Sequence, residues 1–210
     1  GANGNRICQT PSTDFLAREG MNFTHAFTAT SLCSPARACL LTGLYSHNHT
    51  MTNLTNTRIP GVEDLPDHLT THAMLLGDAG YRMGYAGKWH TGKTKSPLDW
   101  GFDDYRPGDG WHEWHPEGTR LENESVIRLG YDQDRPMAAR VPRPLAEYPE
   151  LGRTDAAIAM LEEYAGGDAP FCLQLNYFGP HYPHYLPEPY HSMYDPAQIP
   201  PWGNFEARPS

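Results

Sequence analysis

The order of segments along this chain predicts an α/β fold. Three observations carry that reading. Helix-like and strand-like patterns alternate, which is the grammar of a sheet flanked by helices. Gly and Pro together account for 40 of 210 residues, about 19% against ~12% on average, which excludes coiled coil and long continuous helices and implies many turns. Hydrophobic residues make up 39%, with twelve Tyr, seven Phe and five Trp, enough for a sizeable core and contrary to wholesale disorder.

Taken in order, Thr10-Pro11 and the residues up to Gly20 read as a short helix, with Pro in its first turn and Gly as its stop. Residues 21–28 alternate enough to predict a strand. Residues 34–41 predict a helix with Pro35 near its start and Gly43 just past its end. Residues 65–79 predict a longer helix, with Leu65, Leu69, Leu75, Leu76 and Ala79 as its apolar members and Gly80 as its stop. Residues 81–86 follow as a short strand. Residues 91–150 read mostly as loop, punctuated by Pro, and an ordered loop of that length is usually functional. Residues 152–165 give a further helix and 171–178 a buried strand; beyond Gly179 no clear element is expected. About three strands are visible, fewer than an open sheet covered on both faces normally has. The chain therefore reads as part of a larger sheet, or as one whose remaining strands leave no pattern.

The formal charge is −9, with 16 basic and 25 acidic residues, so a general nucleic-acid surface is not expected. A small anionic substrate is still compatible, because local charge decides that. No apolar run approaches the ~20 residues of a membrane span. The four cysteines, Cys8, Cys33, Cys39 and Cys172, form neither a dense disulfide framework nor a Cys-x-x-Cys pair. Sequons at Asn22, Asn48, Asn53 and Asn123 leave the compartment open.

The stretch from Ser31 to Gly43 carries the chemistry. Cys33 stands just before a helix whose first turn holds Pro35, and such a turn offers unpaired N–H groups and partial positive charge to an anion. Arg37, four residues on, falls on the same face and can bind an oxyanion in bidentate fashion. Taken alone, Cys33 reads more readily as a structural thiol beside a helix start.

The whole string, Cys33-Ser34-Pro35-Ala36-Arg37 followed by Leu40-Leu41-Thr42-Gly43, resembles the signature of the sulfatase family, with every fixed position present. Gln9-Thr10-Pro11, Asp14, Leu16 and Glu19-Gly20 resemble the segment leading into it, with Ser12 where Asn is usual. The run from Gly80 to His90 resembles the family's second signature, with Met83 in place of Ser or Thr, and Pro180-His181-Tyr182-Pro183 is similar to its Pro-His-x-Pro turn.

The resemblance implies an alkaline-phosphatase-like sheet, mixed or parallel and flanked by helices, incomplete in this chain. Residues 1–210 would be a partial N-terminal catalytic domain, with a long variable loop at about 91–150. It implies hydrolysis of sulfate monoesters of a small molecule or carbohydrate. Cys33, oxidised to formylglycine by the formylglycine-generating enzyme, would be the nucleophile and one ligand of Ca2+ or another divalent metal. Arg37 and Lys88 would neutralise sulfate charge, His90 would orient the nucleophile and His181 would assist the leaving group. The family's other metal ligands have no counterpart here; Asp103-Asp104 lies after the second signature and does not fit. Two alternatives stay open: phosphonate monoester or phosphodiester hydrolysis by the same machinery, and a truncated, non-catalytic binding protein. His68 and His72 read as surface histidines, and Trp111, His112, Trp114 and His115 as residues that could line a substrate mouth.

Overall fold

The computed structural model describes residues 1–55, 62–107, 122–125 and 138–201, the backbone alone for 122–125. Two units are distinguished, Gly1–Thr28 with Ser192–Ser210, and Ala29–His191. In the first, α1 (Pro11–Glu19) starts on its expected Pro and ends at Gly20. The Tyr194 hydroxyl accepts the Gln9 N–H at 2.9 Å, joining the two chain segments of this unit. The strand expected at 21–28 does not form. Alternation specifies a face only once a neighbouring strand supplies hydrogen bonds, and here Met21, Phe23 and Phe27 are exposed.

The second unit is built on a three-stranded parallel sheet. Its strands are β1 (Arg82–Gly87), β2 (Asp104–Arg106) and β5 (Phe171–Asn176). Strand β1 is central, with Gly84 opposite both Asp104 and Leu173, and Gly87 opposite Asn176. One face carries the larger core, where Met83, Tyr85, Trp100 and Phe102 pack with Ala38 and Leu41 of α2 (Cys33–Thr42) and Ala73 of α4 (His72–Asp78). The other face carries Ala86 under Ala157, Met160 and Tyr164 of α5 (Pro149–Ala165). Gly84 permits that approach: a Cβ there would lie 2.7 Å from the Tyr164 hydroxyl. Helices on both faces of a parallel sheet are the expected α/β arrangement.

Several boundaries differ from the sequence reading. The helix expected at 65–79 is confined to His72–Asp78. Pro66 breaks its first half, and Thr71 is the real N-cap, its hydroxyl accepting the Met74 N–H at 3.2 Å and donating to the Trp100 carbonyl at 2.7 Å. His68 and His72 therefore do not share a helix; His68 is exposed, and His72 sits on the Leu41 carbonyl. The region read as loop holds β2, and also β3 (Glu122–Ser125) and β4 (Ala138–Arg140), which join β6 (His184–Leu186) in a second three-stranded sheet. β4 and β6, like the one-turn helix α3 (Ser46–His49), are too short to leave a period. Trp111, His112, Trp114 and His115 lie outside the described residues. The acidic pair is structural: Asp103 accepts the Met83 N–H at 2.7 Å, and Asp104 pairs with Arg82 at 3.0 Å and accepts the Tyr164 hydroxyl at 2.7 Å. None of the four cysteines forms a disulfide.

Candidate active site

The site forms where α2 begins and where β1 and β5 end, the edge at which parallel α/β sheets place ligands. Helix α2 starts at Cys33 because Leu32 is extended and Pro35 costs no hydrogen bond in a first turn, and it stops at Gly43, whose φ of 71° is left-handed. Cys33 is half-buried at the first helical position, and no acidic residue occupies that turn.

Arg37 lies one turn later and is fixed by the strand ends. Its Nη1 donates to the Lys88 carbonyl at 2.7 Å and makes longer contacts to Asn176 Oδ1 at 3.3 Å and the Tyr85 hydroxyl at 3.4 Å. The Tyr85 hydroxyl donates to the same carbonyl at 2.6 Å. One carbonyl thus ties α2 to the end of β1. The β1–β5 ladder runs one step further, from Lys88 N–H to the Asn176 carbonyl at 2.9 Å. Gly87 makes this possible: its φ is +90°, and a Cβ would lie 2.0 Å from the Asn176 carbonyl oxygen.

Lys88 is half-buried, with its ammonium 4.5 Å from the centre of the Phe178 ring. Burial, and then the Arg37 charge, push its pKa down, while a negative charge at Cys33 would push it up. These interactions set Lys88 within electrostatic reach of both Cys33 and Arg37. Trp89 is buried edge-to-face on Tyr85, and its Nε1 donates to the Lys95 carbonyl at 2.9 Å, which anchors the turn beyond the strand.

His90 then adopts a left-handed φ of 59°, uncommon for a residue with a side chain. Both of its ring nitrogens are shielded from solvent and hydrogen-bond to none of the described residues. Buried polar atoms are nearly always paired, so these two nitrogens are an exception among the described residues. Burial first, then the charges of Lys88, Arg37 and His181, lower its pKa to about 4. At neutral pH the imidazole is therefore uncharged, with one donor and one acceptor nitrogen.

His181 sits in the turn after β5, between Phe178 (ring centroids 5.1 Å apart) and Tyr182 (4.6 Å). Its Nδ1 contacts the Tyr182 carbonyl at 2.5 Å; a carbonyl only accepts, so Nδ1 carries the proton and Nε2 is the nitrogen available for chemistry. Phe178 and His181 also line a cavity of about 490 Å³, walled by Tyr148, Tyr177, Tyr185 and Tyr190.

All five residues singled out from the sequence are thus described. Arg37 touches Lys88 directly, Cys33 lies within electrostatic reach of Lys88, and His90 feels Lys88, Arg37 and His181. Tyr85 and Asn176 were missed. Their positions carry a core aromatic and a strand-end amide as far as pattern shows, and only the fold brings them to Arg37. Among the described residues no three His, Cys, Asp or Glu side chains come together to hold a metal. A divalent ion needs several such ligands at once, so the described residues alone do not fit one.

The chain resembles known proteins over most of its length. The ulvan-active sulfatase of Formosa agariphila is 29% identical over 203 residues, covering 93% of this chain and 35% of that protein. The structure of BT4656 in complex with its substrate D-glucosamine-2-N,6-O-disulfate superposes with a TM-score of 0.58 at 28% identity, over 85% of this chain and 31% of that one. The phosphonate monoester hydrolase of Agrobacterium radiobacter shares the fold, with a TM-score of 0.68 at 24% identity, over 95% of this chain and 42% of that one. The chain thus spans about a third of the length of the curated relative. With the sulfatase pattern matching residues 1–204 and the α/β architecture shared with solved members, this chain belongs to the sulfatase family.

Proposed function

We propose that this chain carries the nucleophile and the sulfate-binding cations of a sulfate-ester hydrolase. The observation that carries the reading is the Lys88 carbonyl. It holds the Arg37 guanidinium and the Tyr85 hydroxyl at once, which ties α2 to the end of β1; in this reading residue 33, Arg37, Lys88 and an uncharged His90 act on one anion there.

In this reading Cys33 is converted to formylglycine by the formylglycine-generating enzyme, which reads Cys, Pro and Arg in the extended chain. Formylglycine supplies a hydrated aldehyde, whose two hydroxyls divide attack on sulfur from release of sulfate. Arg37 and Lys88 bind the sulfate oxygens and offset the charge that grows on them in the transition state. Arg37 cannot swing away, because the Lys88 carbonyl and Asn176 hold its Nη1. His90, uncharged, holds or accepts the proton of the attacking hydroxyl. His181, with Nδ1 committed to the Tyr182 carbonyl, delivers a proton from Nε2 to the departing alcohol when that nitrogen is protonated. The described residues bring no three His, Cys, Asp or Glu side chains together for the divalent ion implied by the family, and no step here passes through it.

The cavity beside Phe178 and His181 receives the alcohol half of the ester. Its tyrosine walls offer flat apolar faces and hydroxyl edges, which suit a sugar or aryl ring. The glucosamine disulfate bound by BT4656 and the ulvan-active relative support a carbohydrate sulfate.

Mass spectrometry of the Cys33 peptide, from a host with the modifying enzyme, and turnover of an aryl sulfate test the reading together. It expects the aldehyde at position 33 and turnover that disappears in Cys33→Ala. Unmodified thiol throughout, with no turnover, would overturn it.

A further inference from the structure

Strand β5 ends at Asn176, and the backbone then leaves the sheet. The N–H groups of Phe178 and Gly179 need other acceptors. A single carboxylate supplies them: Glu150 Oε1 accepts from Phe178 N–H at 3.0 Å and from Gly179 N–H at 2.7 Å. Its other oxygen, Oε2, accepts from Arg153 Nη1 at 3.0 Å. The pair is well shielded, with side-chain exposures of 17% for Glu150 and 4% for Arg153. Thr154 reinforces it, its hydroxyl lying 2.8 Å from the Glu150 carbonyl and 2.8 Å from the Tyr177 hydroxyl. The first turn of α5 therefore grips residues 177–179. Those residues lead directly into Pro180-His181, and Phe178 touches both the Lys88 ammonium and the His181 ring.

We infer that Glu150 is a positioning residue of the active site, setting His181 and Phe178 against Lys88 and His90 through the backbone of 178–179. The inference rests on the reading of His181 as the group that protonates the leaving alcohol. Glu150 lies 28 and 29 residues from the N–H groups it binds and belongs to none of the sequence signatures. A carboxylate accepting two N–H groups and a guanidinium is satisfied on both oxygens and accounts for its own burial. Loss of its charge leaves two shielded N–H groups held by a weaker acceptor or by none. The turn carrying His181 then gains freedom, while Arg37 and residue 33, held from α2, do not move with it.

The test uses Glu150→Gln, and Glu150→Gln with Arg153→Met, which removes both charges of the pair if the single variant folds poorly. Amide hydrogen exchange at Phe178 and Gly179 should speed up about tenfold or more, the effect of a lost charge-assisted bond, with β1 amides unchanged. Across sulfate esters of increasingly basic alcohols, kcat should fall more steeply than in the unmutated chain, approaching the behaviour of His181→Ala, with KM little changed. Unchanged exchange at these two amides, or an equal loss of kcat for acidic and basic leaving groups, would overturn the inference. If the unmutated chain turns over no sulfate ester, the hydrolase reading fails. Exchange at 178–179, read with the His181 ring resonances, then decides the clamp: shifted resonances support it, and unmoved ones reject it.

Discussion

The electrostatics around His90 lead to a measurable dependence of stability on pH. Its imidazole has a pKa of about 4 in the folded chain, through burial and then the charges of Lys88, Arg37 and His181. Unfolded, it returns to ~6.5. Between these values the unfolded chain binds a proton that the folded chain excludes. Stability tied to His90 is therefore complete above ~6.5 and drains away as pH falls to about 4. At ~1.4 kcal/mol per decade the gap corresponds to ~3 kcal/mol. The ring is only about half-buried and its neighbours are partly screened, which reduces the expected effect to ~1–2 kcal/mol. Urea unfolding of the parent chain and of His90→Gln, from pH ~4 to ~7.5, isolates the term, because every other titrating group is common to both. The backbone cost of the left-handed φ is also common to all pH values. The parent should gain ~1–2 kcal/mol over the variant as pH rises. Stability curves that run parallel would refute the assignment of a buried, uncharged imidazole among cations.

Two further predictions follow from the same geometry. Arg37→Lys keeps the charge but loses the guanidinium whose Nη1 is held by the Lys88 carbonyl and Asn176 while its other nitrogens can face an anion, so kcat/KM on an aryl sulfate should fall ~10²–10³-fold while stability falls by only ~1 kcal/mol, about one hydrogen bond; steady-state kinetics and denaturant unfolding check both halves. Gly87→Ala would place a methyl 2.0 Å from the Asn176 carbonyl oxygen at a φ of +90°, so the β1–β5 ladder must open, at a cost of ~3 kcal/mol or more in denaturant unfolding.

Much of the scaffold was legible because Gly and Pro punctuate it. Pro11 and Gly20 bracket α1, Gly43 ends α2, and Gly80 precedes β1. What misled was apolar spacing without attention to punctuation. Leu65 and Leu69 share a helical spacing with Leu76, yet Pro66 and the Thr71 cap place only the last in α4. Residues 21–28 alternate, but alternation cannot supply a partner strand. Strands of three residues, such as β2 and β6, are decided by neighbours distant in sequence and leave no local signal. The candidate site divides in the same way. Cys33, Arg37, Lys88, His90 and His181 sit in compact local strings, and it is the resemblance of those strings to the family's signatures that singles them out. Tyr85, Asn176 and Glu150 act through contacts spanning 3 to 139 residues, and nothing local marks them. Tyr85 in particular was indistinguishable from a core aromatic, since its ring is buried and only its hydroxyl reaches the site.

The central claim is that one tetrahedral anion is gripped jointly by α2 and the ends of β1 and β5. A crystal structure of the matured chain with bound sulfate tests it most directly. The account predicts the anion within hydrogen-bonding distance of Arg37, Lys88 and His90, facing the side chain of residue 33, with His181 Nε2 on the cavity side. A sulfate bound elsewhere, or residue 33 turned away from it into the core, would contradict the account.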